Sequence, residues 1–367
     1  MFFLFISSLL FFVSVTGYTR MLHVLLLQKY VYPATLFSAI LGVYSLGRIL
    51  STNIFNRVIK TIGVLRAFTV GVLCIIQIAI IQNFIFTFKE FLIFFFFLGL
   101  LTNFVHILIN LIFDSFKSKT ISMIGNYCYG IGNALGVYFL KYDQIIFCSY
   151  FLFSSVLAII VFILSNVKIS HTKVSEGKSG FFLMLNEYTH CFLYLLSTSF
   201  HEILVSSYTI FCLQSAGFDK IEVLRSFFLL QVGRLLFVFP ISFISSHFHE
   251  NNKLIFCSIM NIVSVVVFGL SLFYKQFFYF GCFFIGISLH MKCCPSSYFK
   301  QLCENNKINI SMPITENQIN SFVSIFSFII GAICMSLNPR FGILAYLLFF
   351  HTFVFIYFLL YLLKKSD

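Results

Sequence analysis

Residues 32–66 read YPATLFSAILGVYSLGRILSTNIFNRVIKTIGVLR, from Tyr32 to Arg66. An apolar run long enough to cross a bilayer gives way to a polar stretch carrying Arg57, Lys60 and Arg66, and a second apolar run begins. Arg48 follows Gly47 well inside the first run, where a surface helix would not be so apolar on every side. Together these features predict a membrane hairpin: one helix, a short basic turn and the start of another helix. About 186 residues later the chain repeats the pattern. There Val232-Gly233-Arg234-Leu235-Leu236 echoes Leu46-Gly47-Arg48-Ile49-Leu50, and the polar stretch from Ser246 to Lys253 follows. Two related halves of one fold are expected.

Composition sets the solvent. The 367 residues are 60% hydrophobic and 10% charged, with a mean hydropathy of +0.99, a balance no water-soluble domain can bury. The formal charge of +12 would suggest nucleic acid in a soluble protein. Here the 24 Lys and Arg are scattered singly rather than gathered into a stripe, so membrane topology accounts for them and no nucleic-acid partner is expected. The 54 Phe, with no Trp, read as lipid-facing filler from a skewed codon supply. Eleven Cys lie mostly inside apolar runs, where a thiol acts as a small hydrophobe, so neither a disulfide framework nor a metal site is expected.

A span needs about 20 residues, and on that measure twelve are predicted. They cover residues 2–25, 33–55, 63–83, 89–112, 120–140, 144–165, 184–213, 221–245, 254–274, 276–296, 317–337 and 341–363. The polar stretch Asn166 to Gly180 bisects them. The expected organisation is therefore an N-terminal six-helix bundle over 1–165, a cytoplasmic linker over 166–183 and a C-terminal six-helix bundle over 184–367. With both termini inside, thirteen Lys and Arg are assigned to the cytoplasmic side, eight to the other and three (Arg48, Arg234 and Lys292) are read as buried, which agrees with the positive-inside rule. The first run starts at Phe2 without a basic n-region and is read as a retained span.

Soluble-enzyme motifs are lacking: there is no GxxxxGK, no HExxH and no GxSxG. No catalytic residue, cofactor or metal is expected, and the chain reads as a non-enzyme. Ionisable side chains within the spans are costly in hydrocarbon and mark pathways through a bundle interior. Span seven carries Glu187, His190, Tyr194, Thr198 and His201 within an arc of about 80°, with Glu202 to one side. Glu202 lies deepest in that span. Arg48 has Tyr44 one turn earlier on the same face, and Arg234 holds the matching place in span eight. Either arginine could instead reach the interface or tether two helices. His106 and His290 occupy spans four and ten, which correspond across the halves.

Twelve spans in two related halves about a central linker resemble the major facilitator superfamily. Within it, Tyr44-Ser45-Leu46-Gly47 with Ser51 and Ile54-Phe55, and Phe200-His201-Glu202, are similar to the lysosomal branch linked to neuronal ceroid lipofuscinosis. The chain departs from the superfamily pattern after span two, where Ile54 to Lys60 keeps the bases but lacks the usual Gly and Asp. It also has Arg48 where that branch commonly has Gln. The resemblance implies an all-α membrane protein of two pseudo-symmetric six-helix bundles, with spans one, four, seven and ten lining a cavity. It implies a monomeric, secondary-active carrier of a small molecule or ion, in a lysosome-like endomembrane or the plasma membrane. In that reading Glu202 is a protonatable or cation-binding carboxylate. Arg48 and Arg234 attract anions, and Tyr44, His201, His106 and His290 are polar lining. An anion-conducting channel on the same scaffold, or a non-transporting membrane scaffold or receptor, are the competing functions.

Overall fold

The structure, a computed structural model, describes residues 2–29, 34–85, 87–114, 128–132, 134–135, 138, 144–165, 180–203, 219–247, 250–271, 273–274, 277–290, 293–306, 308 and 310–337. Among them the regular elements are helices, as expected for a chain whose backbone must satisfy its own hydrogen bonds in lipid. The chain divides into two compact units, Met1–Lys178 and Ser179–Asp367.

The first unit contains α1 (Phe2–Lys29), α2 (Ala34–Ile62), α3 (Val64–Ile81), α4 (Phe88–Asp114) and α5 (Gln144–Leu164), with further helical residues at 128–132. The corner between α2 and α3 is a single residue. Gly63 takes φ 82°, a left-handed conformation that a side chain disfavours, while its N–H still donates to Ile59 O at 3.0 Å. Arg57 and Lys60, expected in a turn, lie instead in the last turns of α2, and Arg66 lies in the first turn of α3. Charged residues continue a helix readily, and only the glycine stops it. At the other end of α3, α4 starts with a reciprocal cap: Thr87 N–H donates to Glu90 Oε2 at 2.9 Å and Glu90 N–H to Thr87 Oγ1 at 3.3 Å. α1 is fixed to α5 by Ser7 Oγ donating to Ala158 O at 2.7 Å and by a Tyr18–Phe151 ring stack at 4.7 Å.

The second unit contains α6 (Phe181–Asn186), α7 (Thr189–Ile203), α8 (Lys220–His247), α9 (Glu250–Ser271), α10 (Phe278–His290), α11 (Cys293–Asn305) and α12 (Met312–Leu337). The seventh span was expected to run unbroken from residue 184. The chain instead breaks at Glu187 and Tyr188, leaving Glu187 exposed and the long helix starting at Thr189. Residues 180–183, read as linker, are docked: Gly180 N–H donates to Thr315 Oγ1 at 2.8 Å, and Phe181 packs edge-on against Phe192 and Phe322. The polar stretch around Lys300 is likewise helical, as α11. Its Tyr298, Phe299 and Cys303 are buried, while Gln301 and Glu304 are exposed, and that periodicity makes an amphipathic helix. α8 opens with the same reciprocal cap as α4, between Asp219 and Glu222. The twelfth expected span, over 341–363, and the linker residues 166–179 lie outside the described residues.

Among the described residues, phenylalanine is more often buried than exposed. Phe11, Phe55, Phe68, Phe95, Phe113, Phe151, Phe268 and Phe278 are fully buried, and ring pairs such as Phe68–Phe162, stacked at 4.0 Å, fill the interior. Aromatic packing supplies attraction between helices in a solvent as apolar as they are.

Candidate functional site in the paired helices

Among the described residues, the most extensive helix pairing in each unit is the same one: α2 with α4, and α8 with α10. Glycines permit it. A Cβ on Gly47 would strike the carbonyl oxygen of Phe96, and one on Gly99 would strike that of Tyr44. In the second unit Gly233 meets the Phe283 carbonyl and Gly286 meets that of Leu230. Four backbone approaches therefore follow one scheme, and they carry the Gly47/Gly233 repeat from sequence into geometry.

The close α2–α4 approach brings polar groups together. On α4, Gly99, Thr102, Asn103 and His106 follow i, i+3, i+4, i+7 and share a face. On α2, Tyr44, Arg48, Ser51 and Thr52 meet it. Asn103, only 3% exposed, lies at the centre. Its Nδ2 donates to Arg48 O at 3.1 Å, Ser51 Oγ at 2.7 Å and Thr52 Oγ1 at 3.3 Å, while its Oδ1 accepts from Arg48 Nε at 3.4 Å. Ser51 and Thr52 each donate to Arg48 O at 3.0 Å, which leaves their lone pairs for the amide. Thr102 donates to Leu98 O at 2.7 Å, so the Tyr44 hydroxyl, 3.1 Å from Thr102 Oγ1, is the donor of that pair. Arg48 is half-buried and held toward α4 by this amide rather than extended along lipid. A guanidinium is a planar fork of donors whose geometry matches carboxylates and phosphates.

His106 continues the α4 face by one turn into an aromatic cluster. Its ring stacks on Tyr129 at 5.2 Å and 17°, and meets Phe12 of α1 edge-on at 5.3 Å. Gly132 lies against Phe12 and Val13, so this cluster also joins α1 to the segment at 128–132.

In the second unit Arg234 is half-buried on α8, one residue beyond Gly233, as Arg48 is one beyond Gly47. His290 lies four residues beyond Gly286, the register position that Asn103 holds beyond Gly99. The repeat thus matches His290 with Asn103, not with His106. Two amide oxygens in this unit are buried without a partner among the described residues: Gln231 Oε1, one turn before Arg234, and Asn261 Oδ1. Asn261 Nδ2 donates to Tyr194 OH of α7 at 3.4 Å. Ser199 Oγ of α7 donates to Asn320 Oδ1 of α12 at 2.6 Å.

Of the residues expected to form a site, Tyr44, Arg48 and His106 share the α2–α4 face. Arg234 stands on the equivalent face of the second unit. Glu202 and His201 fall in the last turn of α7 and His290 ends α10, but their side chains lie outside the described residues. Thr102, Asn103, Gln231 and Asn261 were missed because neutral polar residues carry no charge signal. The usable clue was the Thr-Asn pair between Gly99 and His106 in an otherwise apolar α4.

No protein-family model matches the chain, and no curated protein does. Solved structures do. A crystal structure of a point mutant of the nucleoside transporter NupG is similar with a TM-score of 0.75 at 12% identity, over 98% of this chain and 98% of that one. A second crystal structure of the nucleoside transporter NupG gives 0.73 at 13% identity, over 100% and 99%. The likeness covers both units and shows the fold: the chain shares the all-α arrangement of these solved structures, as expected from its sequence.

Proposed function

We propose that the chain is a secondary-active transporter that moves a small solute across a membrane by alternating access. Its working halves are the bundles of residues 1–165 and 184–367, joined by the linker over 166–183. The observation that carries this reading is the full-length likeness to a solved transporter, combined with charge placed inside helix pairs in both units. Buried ionisable groups are costly in a membrane and are retained where a pathway uses them.

In this reading Arg48, positioned by Asn103, and Arg234 each attract anionic solutes, and His290 is polar lining. Tyr44, His106 and the buried amides of Gln231 and Asn261 add polar lining. Glu202, beside His201, carries the coupling proton. The lysosomal branch of the superfamily is the finer assignment, on Tyr44-Ser45-Leu46-Gly47 and Phe200-His201-Glu202, with a monomer in an endomembrane. A nucleoside is the first solute to test because the solved neighbours carry that name, followed by nucleotides and small carboxylates, which offer Arg48 a charge. Uptake by reconstituted vesicles, with and without a pH gradient, tests the reading. Solute accumulation that responds to the gradient supports it, and flux indistinguishable from protein-free vesicles across the panel removes it.

A further inference from the structure

The geometry points to a binding site for one anionic phospholipid in the groove between α3 and α5, with the phosphate at Arg66 and an acyl chain laid along the groove. The two helices are joined near the start of α3 and the end of α5 by the Phe68–Phe162 stack. Beside that stack Ile62, Leu65, Arg66, Thr69, Val70 and Ile163 line an open groove of about 330 Å³. Arg66, Thr69, Val70 and Leu73 follow i, i+3, i+4, i+7 along α3, with Val70 49% and Leu73 45% exposed. Ile163 lines the groove from α5, and Ile160 and Val156 follow it at i−3 and i−7, each close to half exposed.

The groove is thus apolar along its length and cationic at one end. Thr69 Oγ1 donates to Leu65 O at 3.0 Å, so its hydroxyl proton is engaged within the helix and the charge is supplied by Arg66. Arg57 and Lys60, both exposed, stand at the same end, just before the Gly63 corner. The described acidic side chain of this unit, Glu90, stands at the opposite end, in the first turn of α4. An apolar groove capped by surplus positive charge at the depth where a helix leaves hydrocarbon matches a phospholipid with a net negative headgroup. A zwitterionic lipid would fill the groove but gain less from the arginine.

The full chain in detergent micelles, offered equimolar dioleoyl phosphatidylglycerol and dioleoyl phosphatidylcholine, can be read by native mass spectrometry. Phosphatidylglycerol should be retained over phosphatidylcholine by about fivefold, the order expected of one basic residue near a headgroup. Arg66→Gln should bring the ratio close to one, whereas Arg225→Gln, an exposed arginine of the other unit, should leave it unchanged. Val70→Phe keeps the charge but fills the groove, and it should reduce retention of both lipids. Both groove positions are solvent- or lipid-exposed, and an unchanged melting temperature shows that each variant is folded. Undiminished preference in Arg66→Gln would overturn the proposal. So would undiminished retention in Val70→Phe or displacement of the lipid by glycerophosphate, since either means the chain is not in the groove. A dimer that Val70→Phe dissociates, without any lipid preference, would assign the groove to a second copy instead.

Discussion

Gly47 packs its Cα against the carbonyl oxygen of Phe96, and Gly233 does the same to Phe283. The first substitution to test follows directly. Gly47→Ala should lower the melting temperature in detergent, because the new methyl meets backbone that cannot turn aside; overpacking of this kind costs about 1–3 kcal/mol. Gly233→Ala should behave alike. Gly42→Ala in the same helix meets nothing within 4 Å and should be neutral or stabilise by up to about 1 kcal/mol, from helix propensity. Equal melting temperatures for Gly47→Ala and Gly42→Ala would show that the close approach is not required.

Asn103 separates a charge-positioning role from packing. Asn103→Leu removes the amide from Arg48, Ser51 and Thr52 and should cost about 1–3 kcal/mol, since buried polar groups lose a partner. Asn103→Asp retains shape but sets a carboxylate 3.4 Å from Arg48 Nε, so the cation is neutralised in place. The protein should fold, and uptake of an anionic solute should fall at least tenfold while that of an uncharged nucleoside changes less. Equal losses for both solutes would assign Asn103 to packing alone.

The chain announced its internal repeat plainly but not the neutral polar residues packed beside it. Gly-Arg at matching places is conspicuous because a charge in an apolar run is rare, and both copies proved to sit at equivalent helix contacts. Asn103 was invisible for the opposite reason, since an uncharged amide in a span costs little and occurs for many reasons. Element ends went wrong where polarity was taken for a turn. Arg57 and Lys60 are helical because Gly63 alone has the required φ, and α11 is helical because Tyr298, Phe299 and Cys303 share a buried face. Periodicity was present there, masked by the count of polar residues.

Cys303, on the amphipathic α11, provides a probe of the packing around Tyr188. Its thiol is fully buried and its pKa is raised, first by burial and then by the negative charges of Glu187 and Glu304. Since the thiolate is the reactive form, alkylation at pH 7–8 should be slow in the folded protein. The folded state holds the proton that the unfolded chain releases above about pH 8.5, so stability should decline as pH rises beyond that value. Glu187→Gln should speed alkylation modestly. Tyr188→Phe, which removes the 2.8 Å hydrogen bond from Asn306 Nδ2, should loosen α11 and speed it further. Rapid labelling of the unaltered protein would refute the burial.

Glu202 is the carboxylate to which proton coupling is ascribed. Glu202→Gln should abolish pH-driven accumulation while leaving exchange partly intact, because the amide keeps shape and hydrogen bonding but cannot release a proton. Glu202→Asp should keep some coupling. Superimposable uptake against pH for the unaltered protein and Glu202→Gln, at matched expression, would take the residue out of the mechanism.

Alternating access is tested most directly by counterflow in proteoliposomes, using labelled uridine, a labelled nucleotide and a labelled small carboxylate outside and the same unlabelled solute inside. A carrier with one site open to one side at a time should show, for at least one solute, saturable entry accelerated severalfold by unlabelled solute within. Entry of an anionic solute should be lost in Arg48→Gln and in Arg234→Gln. Flux that rises linearly with concentration, carries current and is indifferent to solute on the far side would contradict the account and favour a channel.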